Sequence, residues 1–439
     1  ISHIIPKLAA PTIVSMLISS IYNMADTFFV SQLGTSASGA VGVIFSAMSI
    51  IQALAFMIGM GSGNYMTRSL GAGKRELAEQ IVSIAFFTGI IMGLVITVSA
   101  TFNIHRVVLL LGATETIAPY AEAYAHYIFI AAPFMICSFI MNNLLRFQGK
   151  ASFAMVGITV GGLLNIALDP LFIFAFHLGV RGAALATILS QAVSCIWVLS
   201  FLCGKKTILH IRKKNLILKP EIILPCVALG LATFIMQASE SIISVCFNSS
   251  LLKYGGDIAV GAMTILTSVM QFAMLPLQGL GQGAQPVLSY NYGAKNRDRV
   301  KKAFRLLLTA SLCYSTILWA FIMLFPQVFA EMFTSDSALL GFTKSALRIY
   351  CACLLLFGIQ IACQMAFTSF GKAKASIAVA VTRKFILLLP LIYLLPHILT
   401  GNKTNAVYMA EPIADFLAVS FTTVLFTFQF RKVLKELEG

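Results

Sequence analysis

Charged side chains are scarce in this chain of 439 residues. Asp, Glu, Lys and Arg make up 11% of it, whereas 59% of the residues are apolar. Soluble domains carry about 25% charged residues, because their surfaces need polar and charged groups. A soluble protein of this length could not bury so much apolar surface. The shortage excludes a soluble enzyme, a disordered chain and a fibrous repeat, and it indicates that much of the surface faces lipid.

The sequence also lacks the motifs of common catalytic and cofactor sites. Its nine cysteines lie in apolar stretches, at spacings that fit no zinc or disulfide framework. Its six histidines are scattered and form no nucleophile–base or metal motif. No P-loop is present, and the glycine-rich segment 59–63 lies within an apolar run, where glycines favour close helix contact or bending. We therefore expect neither enzymatic activity nor a bound cofactor.

Long apolar runs fill most of the chain. A bilayer core about 30 Å thick needs about 20 apolar residues per helix. Runs of suitable length predict twelve membrane-spanning helices, near residues 6–30, 40–67, 78–102, 117–143, 152–176, 182–203, 222–250, 258–289, 303–324, 342–370, 375–398 and 405–430. The predicted fold class is therefore an all-α polytopic membrane protein.

Positive charge is distributed unevenly between the two ends of these spans. The chain has 31 Lys and Arg against 16 Asp and Glu, which gives a net charge of +15. Counted over alternate connections, 23 basic residues fall on one side and six on the other, and Arg383 and Lys384 lie inside a span. Because cytoplasmic loops carry the excess of Lys and Arg, this places both termini in the cytoplasm. The bilayer accounts for the basic excess, so nucleic acid is not a predicted partner.

The two halves of the chain resemble each other at a nearly constant offset. Alternate glycines in segment 59–63 recur in segment 279–283, at an offset of 220, and Gly-Lys-Ala at 149–151 recurs at 371–373, at an offset of 222. Matches in the same order indicate an internal duplication.

The duplication predicts a lobe at 1–203, a cytoplasmic linker at 204–221 and a second lobe at 222–439. Each lobe has six spans, an even number, so both enter the membrane in the same direction and a pseudo-two-fold axis lies along the membrane normal. Secondary transporters share this plan, with the substrate path between the halves. A symmetric bundle without transport is the alternative.

A few ionisable residues fall deep in the predicted spans, where each is costly and is a functional hypothesis by default. They are Asp26, Asp169, Glu240, Glu411 and Asp415, together with Arg383 and Lys384.

The first half places polar residues where they can converge. Asn165 and Asp169 are four residues apart on the fifth span and therefore share a helical face. Pro170 follows directly and predicts a kink beside the acid, because it lacks an N–H donor. With Asp26 in the first span and Thr187 in the sixth, these oxygens could hold a hard cation such as Na⁺, or a carboxylic acid there could carry a proton. A structural polar network is the alternative.

The second half offers further candidates. We interpret Glu240, deep in the seventh span, as a carboxylate for a cationic drug or for coupling, and Glu411 or Asp415 as additional candidates. Asn23 and Gln271 complete the candidate substrate-binding set. Arg383 and Lys384 could neutralise one of the acids, but we expect them to extend to the cytoplasmic surface.

On these residues the sequence resembles the multidrug and toxic compound extrusion (MATE) transporters, in their bacterial DinF-like or MepA-like branch. The resemblance covers the whole chain: twelve spans, two six-helix repeats, and the glycine-rich end of the second span repeated in the eighth. Its most specific part is the first-half set, which matches the family's cation-binding motif: Asp26 after Tyr22-Asn23, Asn165-x-x-x-Asp169-Pro170, and Thr187. Glu240 occupies a seventh-span position where many members carry a carboxylate.

The resemblance implies efflux of organic, mainly cationic and amphipathic compounds in exchange for H⁺ or Na⁺ by alternating access. It implies a V-shaped pair of six-helix bundles in the bacterial plasma membrane, and we expect a monomer. Some sodium-coupled members carry an acid in the tenth span, whereas residues 349–370 offer only Gln360 and Gln364 as comparable groups. This departure favours coupling through the first half.

A flippase of lipid-linked or other amphipathic cargo is the alternative function. It is less favoured, because a pyrophosphate would need many cations in the cavity and only Arg383 and Lys384 are available.

Overall fold

The structure is a computed structural model that describes residues 2–204, 209–216 and 219–438, apart from the side chain of Lys213. Over these residues it contains helices and no strand, which confirms the predicted all-α class. The predicted linker 204–221 is described only in part, because residues 205–208 and 217–218 lie outside the described residues.

The first half contains seven helices. They are α1 (Ile4–Ser31), α2 (Thr35–Gly71), α3 (Arg75–Phe102), the short α4 (Ile104–Leu110), α5 (Ala118–Phe147), α6 (Ala151–Pro170) and α7 (Val180–Cys203). α6 continues as a π-helical segment over Leu171–Ala175.

The second half begins with the long α8 (Pro220–Gly293). It continues with α9 (Arg297–Leu324), α10 (Pro326–Glu331), α11 (Ser337–Tyr350), α12 (Phe357–Ser369), α13 (Ala373–Val381), α14 (Leu389–Ile398) and α15 (Lys403–Glu438). A π-helical segment over Thr382–Leu388 joins α13 to α14.

The twelve predicted spans all fall on these helices. Among the described residues, ten helices are long and apolar enough to cross a membrane. α8 holds two of the predicted spans, because Gly256 interrupts it with φ 71° and ψ −162°, a left-handed conformation that favours glycine. α11 and the segment Leu354–Ser369 meet at a bend of 45°, and together they are long and apolar enough for the predicted tenth span. The chain is thus a multi-pass membrane protein.

The chain divides into two compact units. One is Ala10–Phe234, and the other combines Ile1–Ala9 with Ile235–Gly439. These units are defined by which residues lie close together in space, whereas the lobes predicted above are defined by a repeat in the sequence. The two lobes therefore stay a prediction.

Glycines lie where helices cross closely in both units. In the first unit, Gly61 of α2 lies against the carbonyl of Cys226 in α8, and Gly230 of α8 lies against the backbone of α2. In the second unit, Gly283 of α8 lies against Ala9 of α1. A Cβ atom at any of these glycines would overlap backbone atoms. The expectation that the repeated glycines permit close helix contact is therefore confirmed.

Candidate functional site

A pair of buried carboxyl groups lies between α1 and α6 in the first half. Asp26 is buried on α1, and Asp169 on α6 has no exposed surface. The two carboxyl groups lie within hydrogen-bonding reach of each other. As carboxylates both can only accept, so this contact satisfies neither of them. Across the described residues, no Lys, Arg or His side chain forms an ion pair with either acid.

The helix widens directly after Asp169. Pro170 cannot donate to the helical ladder, and the next five residues adopt the π-helical conformation. The disruption predicted beside the acid is thus confirmed, as a π-helical segment. π-Helical turns are rare and occur frequently at functional sites.

Four oxygen atoms in this region are buried without a hydrogen-bond donor. They are Oδ1 of Asp26, both carboxylate oxygens of Asp169 and Oδ1 of Asn165. Unsatisfied polar atoms are costly in a low-dielectric environment, and a carboxylate without a counter-charge is the costliest kind. A bound Na⁺ takes oxygen ligands, and a proton shared between two carboxyl groups supplies a donor; either relieves this cost. The arrangement therefore suits a small cation.

Tyr124 of α5 joins this site to the sixth span. Its buried hydroxyl reaches both Asp26 and Thr187. Thr187 is itself buried, and its hydroxyl donates to the carbonyl of Ala183 at 3.1 Å. The structure thus places all four predicted coupling residues in buried positions, with Asp26 and Asp169 in direct contact and Tyr124 between Asp26 and Thr187.

Sequence reasoning missed two polar contributors. Neither Tyr124 nor Gln191, whose side chain lies beside that of Tyr22, was among the candidates. A tyrosine in an apolar span is common for structural reasons, because its ring packs in a core and its hydroxyl suits an interface. The presence of Tyr124 in a span therefore does not indicate a functional site. The i, i+4 spacing of Gln191 after Thr187 places both on one face of α7 and could have indicated Gln191.

A second polar cluster in the other half contains both signs of charge. Arg383 donates from Nε to Asp415 at 3.1 Å and from Nη2 to Glu411 at 2.9 Å. Its guanidinium lies 4.8 Å from the ring centroid of Phe357. The neighbouring Lys384 forms an ion pair with Glu240. We call these five charged residues the second-half charge network.

The expectation that Arg383 and Lys384 extend to the cytoplasmic surface is wrong. The Lys384 side chain is only 7% exposed, and both cations pair with acids from other spans. Both lie in the π-helical segment Thr382–Leu388. An ion pair within the spans leaves no isolated charge on either partner, whereas extension of the cations to the surface would leave the acids unpaired.

The predicted substrate-binding candidates occupy different environments. The Glu240 side chain is 65% exposed although it is paired with Lys384. Glu411 and Asp415 are buried against Arg383. Asn23 is half-buried on α1, one turn before Asp26, whereas Gln271 is exposed on α8 and takes no part in the network.

A small cavity adjoins the second-half charge network. It measures about 20 Å³ and is lined in part by Met236, Gln360, Gln364, Arg383 and Lys384. Gln360 and Gln364 are the two tenth-span amides noted in the sequence, and the side-chain oxygen of each is buried without a donor. A cavity of this size has room for about one water molecule.

Comparison with known proteins places the chain in a family. The MatE family model matches residues 11–171 and 232–394, one segment in each half. The multidrug export protein MepA of Staphylococcus saprophyticus is 24% identical over 420 residues, which cover 95% of this chain and 92% of MepA.

Two solved structures agree over nearly the whole chain. A MATE protein in a bent conformation has a TM-score of 0.93 at 26% identity and covers 99% of this chain and 96% of its own. An outward-facing multidrug resistance MATE transporter of the MOP superfamily has a TM-score of 0.91 at 27% identity, with coverage of 98% and 96%. The chain therefore belongs to the MatE family, the multidrug and toxic compound extrusion proteins.

Proposed function

We propose that this protein exports organic, mainly cationic and amphipathic compounds, in exchange for H⁺ or Na⁺ that binds at Asp26 and Asp169. The single observation that carries the coupling part is the group of four donor-free buried oxygens on Asp26, Asn165 and Asp169. Relatives described as multidrug export and multidrug resistance proteins support the substrate class.

The coupling ion acts by cancelling buried charge. With both acids ionised and no counter-charge nearby, the cation-free state is destabilised by carboxylate repulsion and desolvation. A proton or Na⁺ removes one unit of negative charge, with Asn165 and Thr187 as further oxygen ligands or hydrogen-bond partners. A ligand shifts a conformational equilibrium only by its differential affinity for the two states, and charge cancellation at this site supplies such a difference.

The helices that carry the site are suited to respond. Asp26 lies on α1, and Asp169 lies one residue before the proline and the π-helical segment of α6. Helices bend preferentially at proline and at π-helical turns. The bound ion reshapes α1 and α6, weakens the hold on the drug and permits the return step of alternating access; drug binding drives the opposite step.

The experiment is ethidium efflux from proteoliposomes under an imposed pH gradient or an imposed Na⁺ gradient, applied separately. We expect one gradient to drive efflux by the wild type and Asp26→Asn and Asp169→Asn to abolish it. Asp257→Asn, which changes an exposed carboxylate beside Gly256, is the matched control and retains efflux. Full efflux with unaltered ion dependence in both site variants would refute coupling at this pair.

The setting that we propose is the plasma membrane of a bacterium, with both termini in the cytoplasm and a monomer as the transporting unit. The proposed partners are small-molecule drugs or toxins and the bilayer; nucleic acid, a cofactor and an enzymatic reaction have no part in it. The charge asymmetry between alternate connections supports the orientation.

The flippase alternative gains no support from the second half. Arg383 and Lys384 are the two cations that the sequence offers as ligands for a pyrophosphate, and both are engaged by carboxylates. A network of two cations and three acids carries a net negative charge, which disfavours an anionic head group.

A further inference from the structure

We propose that Lys384 is an internal competitor for cationic substrates: it occupies Glu240 when no substrate is bound and moves to the oxygens of Gln360 and Gln364 when a substrate cation takes its place. The proposal rests on the proposed function and adds to it a residue that sets substrate affinity. It assigns a role to a cation, a cavity and two amides that the coupling mechanism does not use.

The first step is the unequal exposure of the ion pair. The Lys384 side chain is 7% exposed, whereas that of its partner Glu240 is 65% exposed. An incoming cation can therefore reach the carboxylate without first displacing the protein around the lysine. An exposed carboxylate in a membrane-spanning helix attracts organic cations, and it is neutralised here by a tethered cation.

The second step is the charge balance. Arg383 is held by two carboxylates, Glu411 and Asp415, and makes the stronger, two-pronged contact. Lys384 has a single carboxylate partner among the described residues. An ammonium group has three donors, and its flexible stem can direct them to a second set of acceptors. Lys384 is thus the cation of the network that can exchange partners.

The third step is the presence of a second site for the ammonium group. The cavity of about 20 Å³ is lined by Lys384 and by both glutamines. The amide nitrogen of Gln364 donates to the carbonyl and hydroxyl of Ser376, at 3.2 and 2.6 Å, which leaves its oxygen as the end without a donor. The oxygen of Gln360 is also buried and without a donor. Two acceptors beside space for a water-sized group suit an ammonium ion.

In this exchange, the substrate cation replaces the Lys384 ammonium group as the partner of Glu240, so the number of positive charges beside Glu240 stays the same. The substrate cation replaces Lys384 at Glu240, and Lys384 gains the two amide oxygens, so neither Glu240 nor Lys384 is left without a polar partner. The tethered lysine lowers the affinity for every monovalent cation, and its second site limits that penalty. A neutral compound of the same shape gains nothing from Glu240 and is unaffected by Lys384.

The test measures equilibrium binding of ethidium, and of the uncharged dihydroethidium, to the purified full chain without any ion gradient. We expect Lys384→Gln to tighten ethidium binding about five- to tenfold, because it removes the competing charge, and to leave dihydroethidium binding unchanged. Lys301→Gln, which removes an exposed cytoplasmic charge, is the matched control and leaves both unchanged. If Lys384 only organises Glu240, Lys384→Gln weakens ethidium binding instead. That result, or an unchanged dissociation constant, overturns the proposal.

A second variant tests the alternative site for the lysine. We expect Gln360→Met to weaken ethidium binding about fivefold in the wild type, since the displaced lysine loses an acceptor, and to have no effect when Lys384 is already Gln. An equal effect in both backgrounds contradicts the exchange and indicates a structural role for Gln360. Because binding is measured without a gradient, failure of this proposal is distinct from failure of coupled efflux, which the proteoliposome assay reports.

Discussion

The two halves place their polar residues on corresponding spans but differ in how the charges of their acids are compensated. In the first half, the first, fifth and sixth spans contribute Asp26, Asp169 and Thr187, and no described cation pairs with the acids. In the second half, the seventh, eleventh and twelfth spans contribute Glu240, the Arg383–Lys384 pair and the Glu411–Asp415 pair. On the proposed function, the first half depends on a cation from solution, whereas the second half carries its cations on its own side chains.

Each half also contains a π-helical segment in its fifth span, which is the fifth span of the chain in the first half and the eleventh in the second. The fifth span has its π-helical segment at Leu171–Ala175, directly after Asp169, and the eleventh has one at Thr382–Leu388, which contains both cations. The two corresponding spans thus both have a π-helical segment next to their charged residues, while the sign of the charge differs. On the proposed function, the fifth span therefore serves an exchangeable ion and the eleventh carries fixed cations.

The largest effect should follow from removal of the fixed cation. Arg383→Gln leaves Glu411 and Asp415 buried without a counter-charge, and loss of one partner of a buried pair costs about 3–5 kcal/mol. We expect a markedly lower thermal unfolding temperature in detergent and a reduced yield of folded protein. Arg299→Gln, at an exposed position in the first turn of α9, is the control.

A compensating variant sharpens this prediction. Arg383→Gln combined with Glu411→Gln and Asp415→Asn removes all three charges and should recover most of the lost stability, because the remaining groups are neutral. If Arg383→Gln alone is as stable as the wild type, the ion pairs are not the reason why the second half tolerates its acids.

The second prediction gives the first half a fixed cation like those of the second half. Asn165→Lys puts a tethered cation one helical turn from Asp169, and we expect it to occupy the coupling site permanently. Gradient-driven ethidium efflux should fall to background. The unfolding temperature of the variant should no longer depend on Na⁺ concentration or on pH between 5 and 8. In the wild type, the coupling ion should change the free energy of unfolding by about 1–3 kcal/mol over the same range of conditions. Asn165→Gln keeps an amide and is the control. Efflux that persists in Asn165→Lys would contradict a requirement for an exchangeable ion.

The candidate site was accessible from the sequence only where a residue type is costly in lipid. Asp26 and Asp169 stand out because a carboxylate deep in a span is expensive, and the i, i+4 spacing brings Asn165 to the same face as Asp169. The twelve spans follow from length and hydropathy for the same reason.

The other contacts of the site depend on which spans are neighbours in the folded protein, and hydropathy does not determine which spans are neighbours. Arg383 and Lys384 were expected at the surface because a lysine or arginine stem can reach it; the pairing with Glu240, Glu411 and Asp415 requires three distant segments to meet. Tyr124 was missed for the same reason, since its hydroxyl acquires a role only through contact with other spans.

The third prediction removes one acid of the exchangeable site. Asp169→Asn should abolish coupled efflux without lowering the unfolding temperature of the ion-free protein, since it deletes an unpaired buried charge rather than one member of an ion pair. The contrast with Arg383→Gln is the direct measure of the difference between the halves. A loss of stability as large as that of Arg383→Gln would show that Asp169 has a structural partner in the ion-free state.

The smallest effect should come from the hydroxyl that links the first-half site to the sixth span. Tyr124→Phe keeps the buried ring and removes only the contacts with Asp26 and Thr187. A hydrogen bond to a charged group contributes about 1.5–3 kcal/mol, but the acid keeps its other neighbours, so we expect a shift at the lower end: about a tenfold weaker apparent affinity for the coupling ion, with maximal efflux nearly unchanged. Tyr127→Phe on the same helix is the control. Because the Tyr124 hydroxyl contacts only groups of the first-half site, the ion dependence of efflux should change while the stability of the second half does not. An unaltered ion dependence in Tyr124→Phe would confine the exchangeable site to the carboxylates and amide of α1 and α6.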